Sequence, residues 1–211
     1  MEKPIFPAKT MRITQGYEEG THKDSYAIDN ADIDYRISNL YAPYTGIIKK
    51  IYPNDANEIW LESIEPVEYP DGTIDYLTMM FAHDNNIDDL FVGKKINQGE
   101  VFYQEGVKGN ATGNHCHIEC GKGKFTENGW HKNSAGYWSI NNRKKPEECL
   151  WIDDSISIID DYGYSFKKIS TEVVEKEKQE EKKEQFIFIA PKKDLYGVYL
   201  EQNQKIIIEL S

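Results

Sequence analysis

Shortages define this chain before its motifs do. Its 211 residues include only three cysteines and five histidines, hold no apolar run long enough to cross a bilayer, and are short of basic side chains. Cys116, Cys120 and Cys149 are too few for a disulfide framework. If Cys116 and Cys120 share a strand they stand roughly 13 Å apart, beyond a disulfide's span. A zinc site built on both would need the chain to fold back between them. They are expected as free thiols, packed on the side of the strand opposite the histidines that flank Cys116.

The first residues, Met1-Glu2-Lys3-Pro4-Ile5-Phe6-Pro7, lack the apolar core of a signal peptide. The expectation is a protein soluble as made, with no membrane partner, that reaches any target outside the cell by lysis, by a separate export route or as part of a particle. Lys and Arg number 25 against 36 Asp and Glu, for a net charge of -11. A nonspecific nucleic-acid binder needs a basic face to replace counterions, so that class is excluded. Loose electrostatic adhesion to anionic surfaces is excluded too, and such a target would have to be gripped by a specific groove.

What is present is a succession of short strand-like stretches separated by turn residues. Residues 26–29 are short and apolar, 41–52 carry a bend at Pro43 and Gly46, and 58–63 alternate between apolar and polar. Asp71-Gly72 is a hairpin signal ahead of 76–83, and Gly93 and Gly99 mark turns within 92–103. The Gly-, Asn- and Trp-rich stretch 121–138 reads as an irregular loop. There is no internal repeat and no strong amphipathic helix before residue 150. The fold class is therefore all-β, an antiparallel sheet or sandwich.

By composition the chain divides into a domain over 1–150, a trailing segment 151–170 packing on it, a charged linker or solvated helix over 171–185, and a small β segment over 186–211. That last piece is too small to be stable alone. It is expected to dock on the domain, to pair with another copy, or to be the stub of a targeting module.

The chemistry gathers in residues 111–120, where His115 and His117 flank Cys116. Side chains two apart project from the same face of a strand, so both imidazoles can reach one point. Such a pair can hold a metal, move protons, or do one of each; it can equally be two polar residues on a wet face. The other histidines are His22, His83 and His131. His83 ends a strand on the alternating face of Phe81 and Met79. His22 is followed after six residues by Asp29, an odd separation that brings the two together only if the chain bends at Lys23-Asp24-Ser25.

Thr21-His22 through Asp29, Phe81-Ala82-His83, and Gly113-Asn114-His115-Cys116-His117, in that order, resemble the motifs of the lysostaphin-type zinc endopeptidases, the M23 peptidase family. The resemblance spans roughly residues 12–140 and implies a compact antiparallel sheet with a groove on one face. It implies Zn²⁺ held by His22, Asp29 and His117, with His83 and His115 as the two catalytic histidines. The departure is the first motif: the family has three residues between histidine and aspartate and a glycine among them, where this chain has six and Ala27. An insertion in the bend accounts for this, with Asp24 and Asp32 as alternative carboxylates.

Two imidazoles and one carboxylate leave a tetrahedral zinc one open position for water, which there loses a proton near neutral pH. His115, beside a ligand on the same face, is the better general base. His83 would then steady that base or stabilise the tetrahedral intermediate, with the division of roles left open. His131 is expected on the groove wall.

The implied function is a peptidoglycan endopeptidase cutting a stem or cross-bridge peptide, from a phage lysin released at lysis or carried on the virion. The alternative is a catalytically inactive module of the same fold in a tail or wall anchor. A biotinyl- or lipoyl-carrier-like domain lacks its lysine at a hairpin tip.

Overall fold

Alternation with a period of two, legible in residues 58–63 and 76–83, is the device that builds the sheet and gives it two unlike faces. The structure is a computed structural model and describes residues 1–53, 56–126 and 129–169; the stretches 171–185 and 186–211 lie outside them. In chain order the first strands are β1 (Thr10–Gln15), β2 (Ile28–Asn30), β3 (Asn39–Tyr41), β4 (Gly46–Tyr52) and β5 (Glu58–Ser63). Next come β6 (Val67–Glu68), β7 (Ile74–Asp75), β8 (Leu77–Ala82), β9 (Lys95–Ile96), β10 (Val101–Gln104) and β11 (Cys116–Lys122). The last are β12 (Trp130–Lys132), β13 (Trp138–Ile140), β14 (Arg143–Lys144), β15 (Trp151–Ile152), β16 (Ser157–Asp160) and β17 (Lys167–Lys168). One α-helical turn, α1 (Pro146–Cys149), opens on a proline, whose fixed φ suits the first helical position.

The main sheet runs β16-β1-β2-β11-β8-β5-β4-β9, with β14 also paired to β11. Every pairing in it is antiparallel except β1 with β16, so the sheet is mixed at one edge. Residues 151–168 fall in the same compact unit as residues 1–150: β15 joins Ile5 through a parallel bridge, and β16 supplies the strand beyond β1.

On one face, Ile59 and Leu61 of β5, Leu77, Met79 and Phe81 of β8, and Cys116, Ile118 and Cys120 of β11 are buried in the main core. Each fully buried large apolar side chain contributes about 1.5–3 kcal/mol, so this face carries most of the folding free energy. All three cysteines are free and buried, with Cys116 on the core side of β11. The opposite face bears His117 and Glu119 of β11, Ala82 and Met80 of β8 and Glu58 of β5, which line a groove. Among the described residues no helix is long and apolar enough to cross a membrane.

The stretch 121–138 is not the irregular loop expected from its composition. Trp130–Lys132 pairs with Trp138–Ile140 as an antiparallel hairpin, turned through Asn133 and Gly136, whose φ is +87°. Met80, Trp60 and Ile140, with Phe125 packed against them, give this region a small core of its own on the groove side of the sheet. That tertiary burial, rather than local strand preference, fixes the hairpin.

Candidate metal centre

Strand register puts a carboxylate beside a histidine. β11 lies between β2 and β8, with His117 directly opposite Asp29 on one side and Ala82 on the other. Directly opposed residues project on the same face with Cβ atoms about 4.5–5.5 Å apart, so the two side chains meet. His22 arrives from the short 3-10 turn Gly20–His22. The odd spacing to Asp29 is absorbed at Asp24, whose φ is +58°, and by Ser25, whose amide and hydroxyl both donate to the His22 carbonyl.

His22 Nε2 lies 3.2 Å from Asp29 Oδ1, His117 Nδ1 lies 3.2 Å from the same oxygen, and the two nitrogens are 3.1 Å apart. Tetrahedral zinc with bonds of roughly 2.0–2.2 Å sets its donor atoms about 3.3 Å from one another, so this triangle has the edge length such an ion requires. The ring orientations fit as well. His22 Nδ1 is occupied by the Gly16 carbonyl at 3.0 Å, and His117 Nε2 by Glu119 Oε1 at 3.1 Å, which leaves the opposite nitrogen of each ring facing the cluster. Asp24 and Asp32 are elsewhere; Asp32 is taken by the Ile33 amide and the Ser38 hydroxyl.

The electrostatics show how strongly these groups act on each other. Burial opposes charge on Asp29, but hydrogen bonds with His117 and His22, and their charges, hold its carboxyl well below the usual carboxylate range. Burial also opposes charge on His117, and hydrogen bonds to Asp29 and Glu119 outweigh it and push the imidazole up to about 10. A proton held among carboxylates in this way occupies the position a cation would take on displacing it.

His83 and His115 complete the cluster. His115 Nε2 is 3.6 Å from Asp29 Oδ2, and its Nδ1 is 2.8 Å from the Gly113 carbonyl. The ring of His83 is centred 4.5 Å from that of His115 and 6.0 Å from that of His117. Its Nδ1 donates to the Lys108 carbonyl at 2.7 Å. Burial, then the charges of His117 and His115, push His83 down to about 4, so it is neutral at pH 7.

The route by which His83 reaches the groove differs from the sequence expectation. Strict alternation puts it on the core face with Phe81 and Met79. The structure ends β8 at Ala82 and gives His83 a φ of +89°, a conformation L-residues avoid, and the twist turns the imidazole onto the groove face. Hydrogen bonds hold the strained residue on both sides, from its amide to the Ala56 carbonyl and from the Lys108 amide to its own carbonyl. Gly106 packs against it so closely that a Cβ there would lie 2.3 Å from the His83 carbonyl oxygen.

The groove has a volume of about 340 Å³, and its wall includes Asn110, Thr112, Asn133, Tyr137 and Trp138. His131, expected on that wall, does not line it. It shares a strand face with Ser139, turned toward the sheet, and its Nδ1 meets Asn141 Oδ1 at 2.8 Å. Glu119 is a groove residue the sequence leaves unmarked, whereas the stretch 121–138, expected as groove wall, supplies Asn133, Tyr137 and Trp138. The available signal for Glu119 is its place two residues past His117, on the same strand face.

No family model matches the chain. It is 35% identical over 175 residues to Morphogenesis protein 1 of Bacillus phage B103, an alignment covering 77% of this chain and 43% of that protein. The chain thus spans less than half the length of the curated relative it matches. Among solved structures it is similar to the catalytic domain of lysostaphin from Staphylococcus simulans, at 19% identity and a TM-score of 0.44, over 64% of this chain and 89% of that one. It is also similar to the catalytic domain of the prophage-encoded M23 protein EnpA from Enterococcus faecalis, at 19% identity and a TM-score of 0.42, over 58% of this chain and 91% of that one.

Proposed function

We propose that this chain is a zinc-dependent endopeptidase acting on the peptide part of peptidoglycan, encoded by a bacteriophage and working at the bacterial wall. The observation that carries the reading is the triangle of His22 Nε2, Asp29 Oδ1 and His117 Nδ1, with edges of 3.1–3.2 Å, set in a groove beside two further imidazoles. Bound by these three side chains, zinc would supply an activated water and a Lewis acid for the peptide carbonyl.

The protein's own part is to move protons and to hold the peptide. Because the Gly113 and Lys108 carbonyls take the Nδ1 protons of His115 and His83, each ring presents a bare Nε2 toward the groove. Both are therefore acceptors at rest. His115, whose Nε2 lies 3.6 Å from Asp29 Oδ2 at the edge of the donor triangle, takes the proton from the attacking water as general base. Once protonated, the ring becomes a donor and can pass its proton to the leaving amine. His83 faces His115 across 4.5 Å, and its bare Nε2 is an acceptor that steadies His115 once that ring carries the proton. Asn110, Asn133 and Tyr137 offer the polar partners an extended peptide needs along the groove.

The likeness to a phage morphogenesis protein supports a place in the virion, where a wall-cutting domain would open a path at infection. Metal analysis joined to a wall-digestion assay tests the proposal. The purified chain should carry about one zinc and release peptide ends from walls, and His117→Ala should lose both properties. Zinc without hydrolysis would support the alternative, an inactive wall-binding or tail module; protein that takes up no zinc would reject the centre altogether.

A further inference from the structure

The groove wall and the histidine cluster are fastened together at two points, and the stronger fastening runs through a buried carboxylate. Glu119 is 1% exposed, and both of its oxygens are committed. Oε1 faces His117 Nε2 at 3.1 Å, while Oε2 accepts from the Ser139 hydroxyl at 2.9 Å and from the Ile140 amide at 2.7 Å. Ser139 and Ile140 belong to the strand that begins with Trp138, a residue of the groove wall. At the other end of the hairpin, Asn133 Nδ2 donates to the carbonyl of Thr21, the residue before His22. Asn133 Oδ1 accepts from the amides of Ala135 and Tyr137, fixing the turn that presents Tyr137 to the groove.

We propose that Glu119 is a positioning residue, holding His117 with Nδ1 turned to the cluster and locking that ring to the hairpin that forms the substrate wall. The inference rests on the zinc reading. A carboxylate behind a metal-binding imidazole fixes the ring's orientation and tautomer, and losing such a partner typically weakens metal affinity about 10–100-fold. Here the same carboxylate is also held by two donors from the wall. The wall cannot shift without pulling on the group that orients His117, so a peptide pressing on Tyr137 and Trp138 is met by a surface already registered to the donors.

Zinc affinity of the full chain, measured by competition with a chromophoric chelator, tests this independently of turnover. Glu119→Ala should bind zinc about 10–100-fold more weakly than wild type. Glu119→Gln, which keeps the side chain's length and one acceptor for His117, should recover part of that loss, and it carries the test if the alanine variant does not fold. Ser139→Ala, which cuts one tie to the wall and leaves His117–Glu119 intact, should fall a few-fold at most. If Glu119→Ala and Glu119→Gln bind zinc as tightly as wild type while His117→Ala does not bind, the positioning role is wrong and the zinc centre stands. If the wild-type chain binds no zinc, the centre fails and the positioning role fails with it.

Discussion

Two stretches of backbone deliver histidines to one place by opposite means. In β11 a regular strand does it: period-two alternation sends His117 and Glu119 to the groove and Cys116, Ile118 and Cys120 to the core, with no unusual torsion. At the end of β8 regularity would fail, because alternation sends His83 into the core. The chain reaches the groove only by putting a non-glycine residue at φ +89°. The strand places its side chain at no conformational cost, while the junction spends roughly 1–3 kcal/mol of backbone strain and needs neighbours to enforce it. Strain retained at one imidazole, beside unstrained ones, makes His83 the position at which a functional demand can be tested against a purely structural one.

Substitutions at the two stretches can sharpen or break that contrast. The largest effect is expected at His83 itself: His83→Ala should keep its zinc while hydrolysis falls about 10²–10⁴-fold. His83→Gly should be equally inactive but more stable than His83→Ala by about 1 kcal/mol, because glycine accepts the left-handed torsion freely. Equal melting temperatures for the two variants would mean that the junction is not strained. Gly106→Ala comes next. Its new Cβ would push on the His83 carbonyl and should cost about 1–3 kcal/mol by overpacking, with a loss of turnover and intact metal binding.

Beside Gly106, Glu105 is buried and its carboxyl is pushed up to about 7, chiefly by burial. A carboxyl raised in the folded state stabilises the fold fully below its ordinary unfolded value and loses that contribution as pH rises through about 7. Glu105→Gln should therefore gain stability relative to wild type between pH 5 and 8, by on the order of 1–3 kcal/mol in thermal melts. A difference that does not change with pH would remove Glu105 from that balance. The smallest functional effect belongs to the regular strand. Cys116→Ser, on the core side, should leave zinc content and turnover unchanged within about two-fold, at a modest cost for burying a hydroxyl. An inactive, zinc-depleted protein would mean that the two faces of β11 are not independent.

The same contrast decides what could be read in advance. His115 and His117 are legible because alternation is a local rule. Asp29 is legible only in part: its residue type and order in the chain point to the cluster, but cross-strand register, a long-range property, seats it opposite His117. Glu119 obeys the same alternation and is available to a reader who extends it two residues. His83 is misplaced by that rule, since a left-handed torsion leaves no mark in residue type when the residue is not glycine. The hairpin of Trp130–Lys132 and Trp138–Ile140 is hidden for another reason. Its strands are three residues long, too short for a period to register, and they are held by contacts with residues far away in the chain.

The strand at the far edge of the main sheet has a practical bearing. β1 is paired with β2 on one side and with β16 on the other, so Ser157–Asp160 covers backbone donors and acceptors that would otherwise be open. A fragment cut at residue 150, where the composition invites the cut, would strip that cover and leave β1 as a bare edge, an invitation to intermolecular strand pairing. A minimal folded fragment should therefore run to Lys168, and a shorter one that precipitated would be reporting a missing seam rather than a faulty site.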